Sequence, residues 1–104
     1  MSTENNPDEK ELWASIPRSE GVDRAEHFVT LSHMAYDRGD FKSALALCES
    51  AREIYESHKA TVSTQALLHV YEGITWSLRK LDREAEAAEL ALHAVDILKE
   101  DSPV

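Results

Sequence analysis

Apolar residues recur along most of the chain at the spacing of amphipathic α-helices. Between residues 23 and 99 they stand three and four positions apart, and no bounded stretch alternates apolar and polar residues as a half-buried strand does. The pattern predicts an all-α protein with one short helix and four long ones. The predicted helices cover residues 7–15, about 22–38, 41–57, 64–80 and about 83–99.

Capping and turn residues indicate where these helices end. The short helix ends before Pro17, because the residue that precedes a proline avoids helical geometry. Gly39 closes the first long helix and Asp40 caps the second, whereas Ser63 or Thr64 caps the third. The predicted organisation is a polar segment with the short helix at 1–20, a helical domain at 21–100 and a tail at 101–104.

Each long helix has an apolar face that is expected to form the core. Gly73 interrupts the face of the third long helix, where a glycine permits close approach of a neighbouring helix. Cys48, at a seam position, is expected to be a buried small residue rather than a reactive thiol. On the last helix the residues predicted to face inward are Ala87, Leu90, Ala91, Ala94, Val95 and Leu98.

Two parts of the chain carry matching aromatic and alanine residues, here called landmarks, at a constant separation. The pairs Phe28 and Tyr71, Ala44 and Ala87, and Ala51 and Ala94 are each 43 residues apart. The small alanines allow the second helix of a pair to approach the first, and the aromatic side chain fills the space between them. A helix pair leaves one apolar face uncovered, which a neighbouring pair is expected to cover.

These landmarks resemble the tetratricopeptide repeat family. The first unit matches at Phe28, Leu31, Ser32, Ala35, Ala44, Cys48 and Ala51, and the second at Tyr71, Ile74, Thr75, Leu78, Ala87, Ala91 and Ala94. The family period is about 34 residues, so both units are longer than a typical repeat. The prolines that usually end a repeat are missing, and the second unit has Asp82 at the position where the first has Gly39. The resemblance implies two helical hairpins plus a short N-terminal helix, as a fragment of a right-handed α-solenoid. The alternative is a plain antiparallel four-helix bundle.

In this family the leading helices of successive repeats line a concave groove that binds a peptide or helix of a partner protein. By matching landmarks, the resemblance implies that the partner-binding residues are Glu26, Val29, His33, Tyr36, Asp37, His69, Glu72, Trp76, Arg79 and Lys80. Trp76 also lies off the apolar stripe of its own helix, and exposed tryptophans are frequent binding hot spots. The alternative for Trp76 is packing against Tyr36 or against the helix that carries Trp13.

The predicted groove mixes acidic and basic residues, which favours a mixed-charge amphipathic protein or peptide as the partner. Members that bind chaperone tails carry lysine and asparagine where this chain has Val29 and His33, which argues against that ligand. The formal net charge of −9 disfavours nucleic acid and anionic membranes and is compatible with a partner of basic character. We therefore expect an adaptor or regulatory interaction module.

Composition and motifs narrow the classes of function further. A single cysteine, a polar N-terminus and the absence of an apolar run of about 20 residues favour a cytoplasmic location. No phosphate-binding loop or catalytic triad is present, so neither an enzyme nor a cofactor site is expected. His33 with Asp37, and His69 with Glu72, share helix faces, which keeps a metal-binding bundle as a weaker third hypothesis.

The number of repeats predicts association. Arrays of this type usually need three repeats, and this chain has two. The last helix pair is therefore expected to expose an apolar edge, for which a symmetric homodimer or a partner complex is the simplest cover. The alternative function is a structural self-assembly module that forms a homo-oligomer through exposed apolar helix faces.

Overall fold

The computed structural model describes residues 7–101, and the secondary structure in that range is entirely helical. The prediction of an all-α fold is confirmed, and each predicted helix end lies within two residues of the observed one. The predicted features at residues 1–6 and 102–104 lie outside the described residues. The helices are α1 (Pro7–Ser15), α2 (Gly21–Asp37), α3 (Phe41–Ser57), α4 (Thr64–Lys80) and α5 (Glu84–Asp101), with a single 3₁₀ turn at Ile16–Arg18.

Two predicted caps are present at helix N-termini. The backbone N–H of Ser43 donates to Asp40 Oδ1 over 3.2 Å at the start of α3. The backbone N–H of Ala66 donates to Ser63 Oγ over 3.1 Å at the start of α4. Each cap satisfies a donor that the first helical turn would otherwise leave unpaired. The bonds from Ser43 also lower the pKa of the Asp40 carboxyl below its usual range.

The turns α2–α3 and α4–α5 have the same backbone hydrogen bonds at a separation of 43 residues. Gly39 has φ of 84°, and Asp82, at the matching position, has φ of 62°. Both adopt the left-handed conformation that closes a helix, which aspartate tolerates better than most residues with a Cβ atom. The bonds Gly39 N–H to Tyr36 O and Asp40 N–H to Ala35 O, both 2.9 Å, are matched by Asp82 N–H to Arg79 O at 3.1 Å and Arg83 N–H to Leu78 O at 2.8 Å.

The long helices form an open array. Each packs against the next, α2 also touches α4, and α1 packs on α2. Among the described helices α5 contacts α4 alone and does not reach α2. An up-and-down four-helix bundle closes into a ring through contact between its first and last helices, so that alternative is wrong for this chain. The shortest dimension of 19 Å is about two helix diameters.

Small residues form the seams between the long helices. Ala25, Ala44, Ala51 and Ala87 are each at most 1% exposed. A Cβ atom on Gly73 would lie 2.8 Å from Cys48 Sγ, which confirms that this glycine permits the close approach of α3 and α4. Cys48 is buried, its Sγ lies 3.2 Å from Ser32 Oγ, and burial raises the pKa of its thiol.

Tyr71 connects three helices. From α4 its hydroxyl donates to Glu56 on α3, where the guanidinium of Arg52 also lies 5.7 Å from the centre of the Tyr71 ring. His93 of α5 meets the same ring edge to face, with ring centroids 5.4 Å apart. Burial and the bond to Glu56 raise the pKa of Tyr71 well above its ordinary value.

The short helix α1 covers one end of the array. Leu12 packs on the apolar cluster of α2 and α3, and Arg38 Nη1 forms an ion pair with Glu9 at 2.9 Å. The Arg24 guanidinium donates to the carbonyl of Ser19 over 2.7 Å. Trp13, on the same short helix, is by contrast 49% exposed.

The inward face of α5 differs from the prediction. Ala87 is buried as expected, and Ile97, which was not predicted, is buried too. The predicted inward residues Ala91, Val95 and Leu98 are instead exposed. The apolar arc of α5 is wider than one neighbouring helix covers, and α4 is the one described helix that packs on it. The prediction of an exposed apolar edge on the last helix pair is thereby confirmed.

Candidate functional site

The ten predicted partner-binding residues lie on α2 and α4, and their side chains are accessible. Val29 and Tyr36 are half-buried, and the other eight are exposed. Eight of the ten line two adjacent hollows, the exceptions being Glu26 and Lys80. Most of the residues that the resemblance implied therefore lie around two neighbouring hollows.

The larger hollow, here called the main groove, has a volume of about 870 Å³. It runs along α4, with residues of α5 on one side and Val29 of α2 on the other. Its lining combines an apolar floor with polar ends. The lining residues are Val29, Tyr55, Ser63, Gln65, Ala66, Leu68, His69, Tyr71, Glu72, Thr75, Trp76, Arg79, Ala91, Ala94 and Leu98.

Trp76 forms part of the wall of both hollows. Its side chain is 46% exposed, and its ring centroid lies 6.5 Å from that of Tyr36. Tyr36 in turn meets Phe41 edge to face at 5.0 Å, and Lys80 Nζ lies 5.7 Å from the centre of the Phe41 ring. Trp76 thus contacts Tyr36, as the alternative prediction had it, and still presents nearly half of its surface for binding.

The smaller hollow, here called the histidine pocket, has a volume of about 320 Å³ and lies between α2 and α4. His33 and His69 meet there edge to face with ring centroids 5.1 Å apart. Partial desolvation and the neighbouring His69 lower the pKa of His33, against the opposing effect of Asp37. The sequence pairs each histidine with a carboxylate on its own helix, whereas the structure also brings the two histidines together.

Ionisable side chains of the main groove lie close to carboxylates. His69 Nδ1 lies 3.9 Å from Glu72 Oε1, and Arg79 Nε lies 3.8 Å from Glu84 Oε1. Both pairs are largely exposed, so they contribute little to stability and remain available to a ligand. The groove thus offers an acidic and a basic group on the same helix, two turns apart.

Within the described part of the chain, no group of three histidine, cysteine or carboxylate side chains is close enough to hold a metal ion. His33 and His69 supply two nitrogen ligands, but a protein zinc site needs at least three. The nearest thiol, Cys48, is buried beneath the histidine pocket, and its raised pKa disfavours the thiolate that metals and electrophiles require.

Several groove residues were missed in the sequence prediction. Leu68 lies on the same face of α4 as Glu72 and Trp76, at a spacing of four residues, which identifies it once that face is known. Ala91, Ala94 and Leu98 were predicted to lie in the core of α5. The signal for their position was the unusual width of the apolar arc on that helix.

Comparisons with models of protein families, with curated proteins and with solved structures found no match for this chain. Among the described residues no helix has the length and apolar character needed to cross a lipid bilayer. Any function assigned to the candidate site therefore follows from its geometry.

Proposed function

We propose that this chain is a protein-interaction module of the tetratricopeptide type, which holds a helix or peptide of a partner protein in the main groove. The single observation that carries the proposal is the half-exposed Trp76 on the wall of an open groove with an apolar floor. A contiguous exposed apolar surface often marks a binding site, and tryptophans are frequent binding hot spots.

The repeat arrangement supports the proposed architecture. Helix pairs joined by three-residue turns pack antiparallel, and the two turns are hydrogen-bonded alike at a separation of 43 residues. The landmark alanines Ala44, Ala51 and Ala87 are buried at the seams. Contact of α4 with both α3 and α2 is what a second helix pair stacked on a first one requires.

The chemistry of the groove favours an amphipathic helix as the ligand. Leu68, Trp76 and Leu98 offer apolar contacts, and Glu72 and Arg79 offer one charge of each sign at the surface. A helix that buries residues at positions i, i+4 and i+7 against this floor presents polar residues to the charged side chains of Glu72 and Arg79. The overall net charge of −9 favours a partner with an excess of basic residues.

A displayed library of amphipathic helical peptides tests the proposal. Peptides selected on the wild-type chain are expected to lose binding by about tenfold or more on Trp76→Ala, the usual effect of removing a hot-spot tryptophan. Trp13→Ala is the matched control, because Trp13 is 49% exposed and lies on α1 away from the groove. Selected peptides that bind both variants equally, or a library with no enrichment, would contradict the proposal.

A second function, self-assembly alone, is supported by a separate observation. Leu92, Val95 and Leu98 of α5 are 69%, 45% and 52% exposed. Changes at Trp76 and Tyr36 discriminate between the two functions. If Trp76→Ala with Tyr36→Ala abolishes peptide binding and leaves the oligomer intact, the groove is the functional surface; if the wild-type chain selects no peptide and still assembles through α5, self-association is.

A further inference from the structure

The outer surface of α5 has a self-complementary sequence. The exposed residues that share this surface, here called the outer face, are Glu84, Ala85, Ala88, Ala91, Leu92, Val95, Leu98 and Lys99. At 100° per residue they lie opposite or beside the buried Ala87 and Ile97 and the half-buried Leu90 and Ala94. The acidic side chains of Glu86 and Glu89 lie around a hollow on the far side that α5 shares with α3 and α4. The exposed Asp96 lies at the border of the outer face, next to Ala85 and Leu92 on the helical wheel.

We infer that the outer face of α5 binds the same face of a second copy of this chain, with the two helices antiparallel about a two-fold axis between Ala91 and Leu92. Residues whose numbers add to 183 then lie opposite each other across the axis. The inferred contact shares Ala91 and Leu98 with one side of the main groove, whereas the residues changed in the tests below, Ala88, Val95, Glu84 and Lys99, do not line that groove.

Size complementarity supports this register. Ala85 faces Leu98 of the second copy, Ala88 faces Val95, and Ala91 faces Leu92, so that each small residue receives a large one. Large side chains that fill the spaces above small ones allow two helix backbones to approach closely over three helical turns. Under the two-fold axis every such contact occurs twice.

Charge complementarity supports the same register and selects the second copy as the occupant. Glu84 at the N-terminal end of the outer face, whose carboxylate lies 3.8 Å from Arg79 of its own chain, is brought opposite Lys99 of the second copy. These are the two charged residues of the face. A parallel pair would place Glu84 against Glu84 and Lys99 against Lys99. The antiparallel pair also aligns the helix dipoles favourably.

The first experiment measures molar mass by light scattering over a hundredfold range of concentration. The wild-type chain is expected to form a dimer as concentration rises, and Ala88→Glu is expected to weaken dimerisation by about tenfold or more, because the two-fold axis introduces the charge twice into an apolar contact. Ala46→Glu, an exposed alanine on α3, is the matched control and is expected to dimerise like the wild type. A wild-type chain that stays monomeric, or a dimer unaffected by Ala88→Glu, would overturn the inference.

The second experiment tests the register by disulfide formation. Ala88→Cys and Val95→Cys are made in separate chains, mixed, and exposed to oxidised glutathione, with Cys48 left in place because it is buried. The mixture is expected to give a covalent dimer on a non-reducing gel, and neither variant alone is expected to do so. A covalent dimer of Ala88→Cys alone would indicate a parallel or shifted pair and would overturn this register. Circular dichroism confirms that each variant is folded.

The third experiment tests the charges at the two ends. Lys99→Glu places two acidic residues together at both ends of the dimer and is expected to weaken it. Adding Glu84→Lys to the same chain restores opposite charges across the axis and is expected to recover most of the loss. A double variant that dimerises no better than Lys99→Glu would show that these two residues do not meet.

Discussion

At Gly73 a single sulfur atom sets the distance between α3 and α4. A Cβ atom at this position would lie 2.8 Å from Cys48 Sγ, closer than such atoms approach in folded proteins. Cys48 has one rotatable side-chain bond, is 3% exposed, and contacts Ser32, so it has little room to move. The third long helix consequently keeps a glycine despite the helix stability it loses relative to alanine.

We predict that Gly73→Ala lowers the free energy of unfolding by about 1 kcal/mol. Overpacking of a core removes about 1–3 kcal/mol, and the higher helix propensity of alanine returns about 1 kcal/mol. In a Cys48→Ala background the clash is absent, and Gly73→Ala should instead raise the free energy of unfolding by up to about 1 kcal/mol. Urea denaturation of the four chains measures this coupling; equal effects in both backgrounds would refute it. Cys48→Ala is a suitable background because Ser32 Oγ also donates to the carbonyl of Val29 and keeps that hydrogen bond when the thiol is removed.

The histidine pocket predicts a pH dependence at one side chain. His33 has a lowered pKa in the folded chain, so below the usual histidine pKa of about 6.5 the unfolded chain binds more protons than the folded one. The contribution of His33 to the free energy of unfolding is therefore fully present above this pH. It is lost as the pH decreases from about 6.5 towards the lower pKa that His33 has in the folded chain. The physical cause is the desolvation of a charged imidazole and its repulsion by His69, 5.1 Å away.

Urea midpoints at about pH 7.5 and about pH 5.5 test this dependence. The decrease between these two conditions should be smaller for His33→Gln than for the wild-type chain. His27→Gln, on the same helix but outside the pocket, is the control and should retain the decrease. Asp40, whose lowered pKa affects stability only in more acidic solution, does not interfere at these values. An unchanged decrease in His33→Gln would mean that the histidine contact has no energetic effect.

At the scale of elements, local chemistry was sufficient to predict the helices and where they end. Caps at Asp40 and Ser63 and the left-handed turn at Gly39 act over four or five residues, so they are visible in the sequence. The turn at Asp82 was not predicted to match that at Gly39, because few residues other than glycine adopt a positive φ. Its conformation follows from hydrogen bonds to Arg79 and Leu78, which the sequence does not reveal.

The faces of α5 were harder to predict, because burial depends on how many neighbours a helix has. Ala91, Val95 and Leu98 have the composition of core residues, and α4 covers only part of so wide an arc. In the candidate site, too, some features could be predicted from periodicity and others required the packing of helices. Exposure of Trp76 followed from periodicity, whereas the meeting of His33 with His69 required the relative placement of α2 and α4. Periodicity fixes which side of a helix is apolar; tertiary packing decides which part of that side stays accessible.

At the scale of the whole molecule, the open array implies a gradient of local stability. Helix α4 packs against both α3 and α5, whereas α5 packs against α4 alone and exposes an apolar outer face. Helices with fewer buried contacts open more often, and their amides exchange hydrogen faster. In dilute solution we therefore expect the amides of α4 to exchange slowest and those of α5 to exchange substantially faster.

Protein concentration should change the rate of amide hydrogen exchange at one end of the array only. If the outer faces of two copies pack together, dimerisation stabilises α5 in proportion to the fraction of dimer. Hydrogen–deuterium exchange of the wild-type chain should then slow in α5 as concentration rises, with little change in α1, which lies at the opposite end. In Ala88→Glu the exchange of α5 should stay fast at every concentration, whereas Ala46→Glu should behave like the wild type. Slowing at α1 rather than α5 would place the self-association surface at the other end of the molecule, because only amides near the contact gain protection from it.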